Sequence, residues 1–273
     1  MKTKDLKIPD AEKNGFIPTL NQMGFMTSTL DSFSEEFTSF SSAPWQGSSK
    51  FSLEIGAAYG VATIKALEKG AHIIANDLHQ DHLTLLHKRV PENFKNNLTL
   101  LPGSFPEDIE LVDNSLKAIL ICRVLHFFNE ERLKNSVQKF FNALEPGGKI
   151  FVVTETPYLK NFLPFVPIFE KRKEEGLQLP GFVEDVMKID PVRGQSLPKE
   201  MMVFDKDVLS HLFKNFGFQI EKCEEFARPE FPEDIELVDN SLKAILICRV
   251  LHFFNEERLK RSVQKFFNDL EPG

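Results

Sequence analysis

The stretch that most constrains the fold is Phe51 to Gly60, FSLEIGAAYG, read together with Asp77. Phe51, Leu53 and Ile55 form a short apolar run that carries Glu54 at its end, and small residues at Gly56, Ala58 and Gly60 then alternate through a tight turn. VATIKALEKG follows, with Val61, Ile64 and Leu67 at helical spacing and Gly70 as a left-handed stop. AHIIAND reads as a second buried strand ending on Asp77. A strand, glycine-rich turn, helix and strand of this length fold as a right-handed parallel crossover.

A ligand at such a turn sits beyond the carboxyl ends of the strands, where helix-start N–H groups are free and small side chains permit close approach. An acidic residue ending the second strand can accept both hydroxyls of a ribose. Two ligand classes use turns of this kind. A dinucleotide site needs G-x-G-x-x-G; here Glu54, Gly56 and Gly60 give E-x-G-x-x-x-G instead. That pattern resembles motif I of the class I S-adenosylmethionine-dependent methyltransferases.

The resemblance continues through LPGSF at 101–105, ICRVLHFF at 121–128 and LEPGGKIFVVTE at 144–155, and covers roughly Phe51 to Glu155. It departs from the family at Ala58, where glycine is usual, and at Leu116, Lys117 and Ala118, where strand four often opens with aspartate. What it implies is an α/β, Rossmann-like three-layer sandwich with a seven-stranded, mostly parallel sheet and an antiparallel last strand. It also implies S-adenosyl-L-methionine as cofactor, S-adenosyl-L-homocysteine as product, and cofactor binding by Glu54, Gly56, Ala57, Ala58, Gly60, Asp77, Leu78, Ser104, Phe105, Arg123 and Val124.

The 273 residues suffice for one large α/β domain with an appendage. A net charge of −7 without a basic stripe argues against nucleic-acid and anionic-membrane partners, so a small-molecule acceptor is expected. Cys122, Cys223 and Cys248 each sit in an apolar run, as free thiols do in a reducing cytoplasm. The N-terminus has no apolar core of a signal peptide, and no apolar run approaches the roughly 20 residues that span a bilayer.

Residues 1–50 read as a cap segment, in which GFIPTLNQMGFM could pack over a site and Leu30, Phe33, Phe37 and Phe40 share one helical face. Residues 51–156 form the cofactor-binding core. His79, His82 and His87 invite a metal reading, but His87 lies well around the helix from the other two, so solvated histidines are expected and no metal. His126 follows strand four and Tyr158 follows strand five; both are candidate general bases. Residues 157–200, rich in proline and phenylalanine, read as a substrate lid, with acceptor entry between it and the Leu30–Phe40 helix. Residues 201–249 complete the sheet, with QIEKCEEF as strand six.

Residues 231–273 repeat residues 105–147 with only Asn135 to Arg261 and Ala143 to Asp269 changed, a segmental duplication too exact for an old structural repeat. Leu242 to Cys248 is expected to take the antiparallel strand slot, and 250–273 to form an extra amphipathic helix whose unpartnered stripe leaves a homodimer open. The function expected is methyl transfer by direct displacement. An NAD(P)-dependent oxidoreductase, or a non-catalytic cofactor-binding protein of the same fold, stands as the alternative.

Overall fold

The structure, a computed structural model, describes residues 6–12, 16–195, 197–226 and 245–251. Its centre is a parallel sheet of β1 (Phe51–Ile55), β2 (His72–Asp77), β3 (Leu98–Pro102), β4 (Leu116–Cys122) and β5 (Leu144–Thr154), in the spatial order β3, β2, β1, β4, β5. Strand order reverses between β1 and β4, and a crevice opens there at the carboxyl ends. Five strands thus pair in parallel, and the sheet continues beyond β5 with two more. Beyond β5, residues Ile245–Leu251 (β7) pair antiparallel with it, and Gln219–Phe226 (β6) pair antiparallel with β7.

β4 shows why the core strands do not alternate in polarity. Ile119 and Ile121 belong to one buried cluster with Val137, Phe140 and Phe213, while Ala118 and Leu120 belong to another with Phe37, Leu67 and Leu86. A strand covered on both faces has no solvent side to make polar. Helices α1 (Ser32–Ser42), α2 (Val61–Glu68) and α3 (Gln80–Arg89) supply the second cluster; α4 (Glu130–Ala143) and α7 (Lys206–Asn215) supply the first. Asp31, Asn129 and Asp205 cap α1, α4 and α7 by accepting from the first-turn N–H groups of Ser34, Arg132 and Val208.

Lys117, at the position where the resemblance breaks down, is buried at the amino end of β4. Its ammonium donates to Ser41 O at 3.2 Å and Ala43 O at 2.5 Å, the orphan carbonyls that end α1, and lies over the Phe40 and Trp45 rings. It serves α1, at the end of the sheet opposite the crevice.

Insertion 157–200 contains α5 (Val166–Glu174) and α6 (Val186–Ile189), and its Phe182–Val183 forms a two-residue ladder with Met201–Met202 just beyond it. Near the N-terminus Ile17–Pro18 pairs antiparallel with Phe25–Met26, so GFIPTLNQMGFM contains a hairpin.

The duplicated segment is described only at β7, whose sequence ILICRVL also stands at 119–125. In the first copy the strand stops at Cys122 and Arg123 turns with φ +58°; in the second the same residues run extended to Leu251. Context, not local propensity, decides between the two. The expected strand at Leu242 to Cys248 is described from Ile245 on; the helix expected over 250–273 is corrected at its start, where Val250 and Leu251 end β7, and from 252 on it lies outside the described residues.

Candidate functional site

Above the carboxyl ends of β1 to β4 lies a cavity of about 720 Å³, within the ~300–1,000 Å³ typical of small-molecule sites. Glu54, Gly56, Ala57, Ala58, Asp77 and Leu78 line it from the first two strand ends, Ser104 and Phe105 from the third, and Arg123, Val124 and His126 from the fourth. Two of the expected site residues, Gly60 and Tyr158, do not line it.

Asp77 is the hub of the wall and is 5% exposed. Its Oδ2 accepts the Ala58 N–H at 2.9 Å. Its Oδ1 accepts the His79 N–H at 2.8 Å and faces His82 Nδ1 at 3.0 Å. A carboxylate oxygen has two lone pairs, so Oδ1 is saturated within the protein and Oδ2 keeps one acceptor position. Within the protein's own contacts, Oδ2 is therefore the Asp77 oxygen with room for a ligand hydroxyl.

The turn itself brings backbone to the cavity. Gly56 has φ +71°, and a Cβ there would collide with Val124 Cγ2, so only glycine lets β1 and the loop after β4 approach this closely. Ala57 N–H is held by Asn76 O at 2.9 Å. Ala58 adopts φ +45°, a left-handed conformation that a methyl-bearing residue seldom takes. Gly60 also has positive φ, but the space beside it belongs to the Leu86 side chain of α3. Its role is to seat α2 against α3, which corrects its assignment as a cofactor residue.

Glu54 is 6% exposed and accepts from Thr63 Oγ1 in the first turn of α2. Burial pushes its pKa up to about 7, with a further push from the Asp77 charge and an opposing pull from Thr63. The loop after β3 is fixed by Arg132 of α4, which donates to Ser104 Oγ at 3.1 Å and Phe105 O at 2.7 Å while pairing with Glu107. Phe105 stacks on Phe140 with centroids 5.1 Å apart.

The two candidate bases part company. His126 is buried in the cavity wall, its ring 4.1 Å from that of Phe127. Tyr158 donates its hydroxyl to Glu170 on α5, and burial together with that carboxylate drives its pKa far above the usual phenol value. With its hydroxyl on Glu170 and its side chain outside the cavity lining, Tyr158 is not placed to act as a base there, which corrects its assignment; it ties the end of β5 to α5. Cys122 stays a thiol, since burial pushes its pKa to about 12.

Sequence reasoning missed His82. It was expected in solvent with its neighbours, yet it is 1% exposed and bonded to Asp77. The signal was present, because His82 precedes Leu86 by one turn and so lies on the buried stripe of α3. The stretch GFIPTLNQMGFM, expected over a site, does border the cavity through Phe16, Met23, Phe25 and Met26, and Arg123 Nη1 donates to the next residue, Thr27, at Oγ1, at 3.4 Å. Leu159, Phe162 and Met201 close the side formed by the insertion. Among the described residues no group of three His, Cys, Asp or Glu side chains could hold a metal, and no helix is long and apolar enough to cross a membrane.

Residues 53–148 match the model of a methyltransferase domain. An uncharacterized methyltransferase of Mycobacterium bovis and one of Mycobacterium tuberculosis are each 29% identical to this chain over 104 residues, 38% of this chain and 39% of each relative. Thus the match spans about two fifths of those relatives' length. In solved structures, the fold is similar to an S-adenosylmethionine-dependent methyltransferase of Methanosarcina mazei (TM-score 0.56, 16% identity, 83% of this chain and 99% of that one). It is likewise similar to one of Mesorhizobium loti (TM-score 0.54, 18% identity, 77% of this chain and 94% of that one). A Burkholderia thailandensis 1,6-didemethyltoxoflavin-N1-methyltransferase with bound S-adenosylhomocysteine matches with TM-score 0.53 and 13% identity over 81% of this chain and 77% of that one. Residues 53–148 are thus similar to a methyltransferase domain, and the chain has the fold of solved S-adenosylmethionine-dependent methyltransferases.

Proposed function

We propose that the protein transfers the methyl group of S-adenosyl-L-methionine to a small-molecule acceptor by direct displacement. The observation that carries this reading is the Asp77 carboxylate, tied to the Ala58 N–H and keeping one Oδ2 acceptor position beside a turn of small residues. The residues present suit an adenosine-bearing cofactor: a hydroxyl acceptor at Asp77, apolar contacts at Leu78 and Phe105, and close backbone approach at Gly56 to Ala58. Bound there, S-adenosylmethionine would supply an electrophilic methyl. Ser104 and Val124 border the same pocket, and Glu54 lies at its floor, where a cationic ligand would favour its ionised form.

The chain's own part is alignment and exclusion of water. The acceptor would occupy the side of the cavity walled by Phe16, Phe25, Phe127, Phe162 and Met201, entering between α1 and the insertion. Its apolar walls suit an acceptor with an aromatic or aliphatic body. Where the acceptor must lose a proton, His126 is the base candidate, since it alone of the two candidates faces the cavity. The test is a screen of small-molecule acceptors with methyl-labelled cofactor, read by label transfer and by S-adenosylhomocysteine release. Transfer to a small acceptor supports the reading; binding of nicotinamide dinucleotide with no label transfer would favour the oxidoreductase instead.

A further inference from the structure

His82 stands between two features that sequence leaves unconnected, the ribose-facing carboxylate and the N-terminal hairpin. Its Nε2 accepts the Leu20 N–H at 3.1 Å, and its Nδ1 lies 3.0 Å from Asp77 Oδ1. A ring nitrogen that accepts from a backbone N–H carries no hydrogen. The bond to Leu20 therefore fixes the neutral tautomer with hydrogen on Nδ1, and that hydrogen points at Asp77. The ring is locked in place by His79 at 4.7 Å and by the edge contact with Tyr59 at 5.2 Å. Tyr59, itself fully buried, donates its hydroxyl to Pro18 O at 2.9 Å. The hairpin is consequently tied down at Pro18 and Leu20, once from the glycine-rich turn and once from α3.

We infer that His82 is a positioning residue with two separable roles: it saturates Asp77 Oδ1 so that Oδ2 alone is presented to a ribose, and it latches the 17–26 hairpin over the cavity through Leu20. The first role rests on the cofactor reading above. The second does not, because it concerns the protein without ligand. The coupling follows from geometry: Phe16 and the hairpin residues Met23, Phe25 and Met26 wall the same cavity that Asp77 addresses, so one imidazole sets both the ribose contact and the roof.

The roles separate because the Asn amide nitrogen superimposes on His Nδ1 and the Gln amide oxygen on His Nε2. His82→Asn keeps a donor for Asp77 and loses Leu20; His82→Gln keeps an acceptor for Leu20 and loses Asp77. Hydrogen exchange at the Leu20 amide, measured without ligand, is expected to quicken roughly tenfold or more in His82→Asn and stay near wild type in His82→Gln. Adenosine and 2′,3′-dideoxyadenosine titrations read the other role. Wild type and His82→Asn should prefer adenosine by roughly tenfold or more, and His82→Gln should lose most of that preference. Leu20 exchange equal in all three proteins overturns the latch, and undiminished adenosine preference in His82→Gln overturns the aiming. Wild-type protein that binds no adenosine refutes the cofactor reading and the aiming with it, while the latch is still decided by exchange. Should neither variant fold, nitrogen chemical shifts of His82 in the wild type decide: hydrogen on Nδ1 supports the inference, and hydrogen on Nε2 overturns it.

Discussion

The Ala58 backbone N–H donates to Asp77 Oδ2 at 2.9 Å, so the left-handed residue of the first turn and the last residue of β2 fix each other. Glycine at 58 would keep that bond without the steric cost of a methyl at φ +45°. Ala58→Gly is expected to stabilise the fold by about 0.5–1 kcal/mol and to leave affinity for S-adenosylhomocysteine equal or tighter, measured by urea unfolding and calorimetry.

Glu54 gives a pH dependence of definite sign. Burial first, then the Asp77 charge, raise its folded pKa to about 7 from 4.5. The folded state therefore holds the Glu54 proton more tightly than the unfolded chain. Its contribution is fully present below pH 4.5, and stability declines as pH rises towards 7, by on the order of 3 kcal/mol in all. Glu54→Gln keeps an acceptor for Thr63 and has no charge to bury. The variant should exceed the wild type in stability at pH 8 and converge with it near pH 4, as measured by denaturant midpoints across that range.

Tyr158 and His126 separate the insertion from the site. Tyr158→Phe removes one hydrogen bond to Glu170 and should cost about 1 kcal/mol of stability with cofactor affinity unchanged. With an acceptor that must be deprotonated, His126→Ala should lower turnover by roughly 10²–10⁴-fold while S-adenosylhomocysteine still binds. Steady-state rates beside calorimetry on both variants check the pair.

The two antiparallel strands set a boundary for shortening the chain. Ending it at Leu251 keeps every described strand, and cofactor binding should persist. Ending it at Phe226 removes β7, which separates β5 from β6, and bares the β5 edge from Lys149 to Thr154. That shorter form should aggregate or melt lower, by light scattering and thermal unfolding.

The crossover from Phe51 to Asp77 was legible because its signals are local: apolar runs of strand length, small residues in a turn, helical spacing from Val61 to Leu67. The caps at Asn129 and Asp205 were legible for the same reason. What escaped depends on distant partners. Gly60 looks like a ligand-cradling glycine until Leu86 of another helix is placed beside it. His82 looks solvated until Leu20, 62 residues away, donates to it. Tyr158 looks like a strand-end base until α5 brings Glu170 to its hydroxyl. Arg123 and Arg249 sit in identical local sequence, yet one turns and the other extends.

The most direct test of the central claim is calorimetric titration of S-adenosylhomocysteine into wild type and Asp77→Ala, with NADH titrated in parallel. The account predicts one-site binding of S-adenosylhomocysteine to the wild type, a loss of roughly tenfold or more in Asp77→Ala, and no binding of NADH. Equal affinity in the two proteins, or binding of NADH in place of S-adenosylhomocysteine, would contradict it.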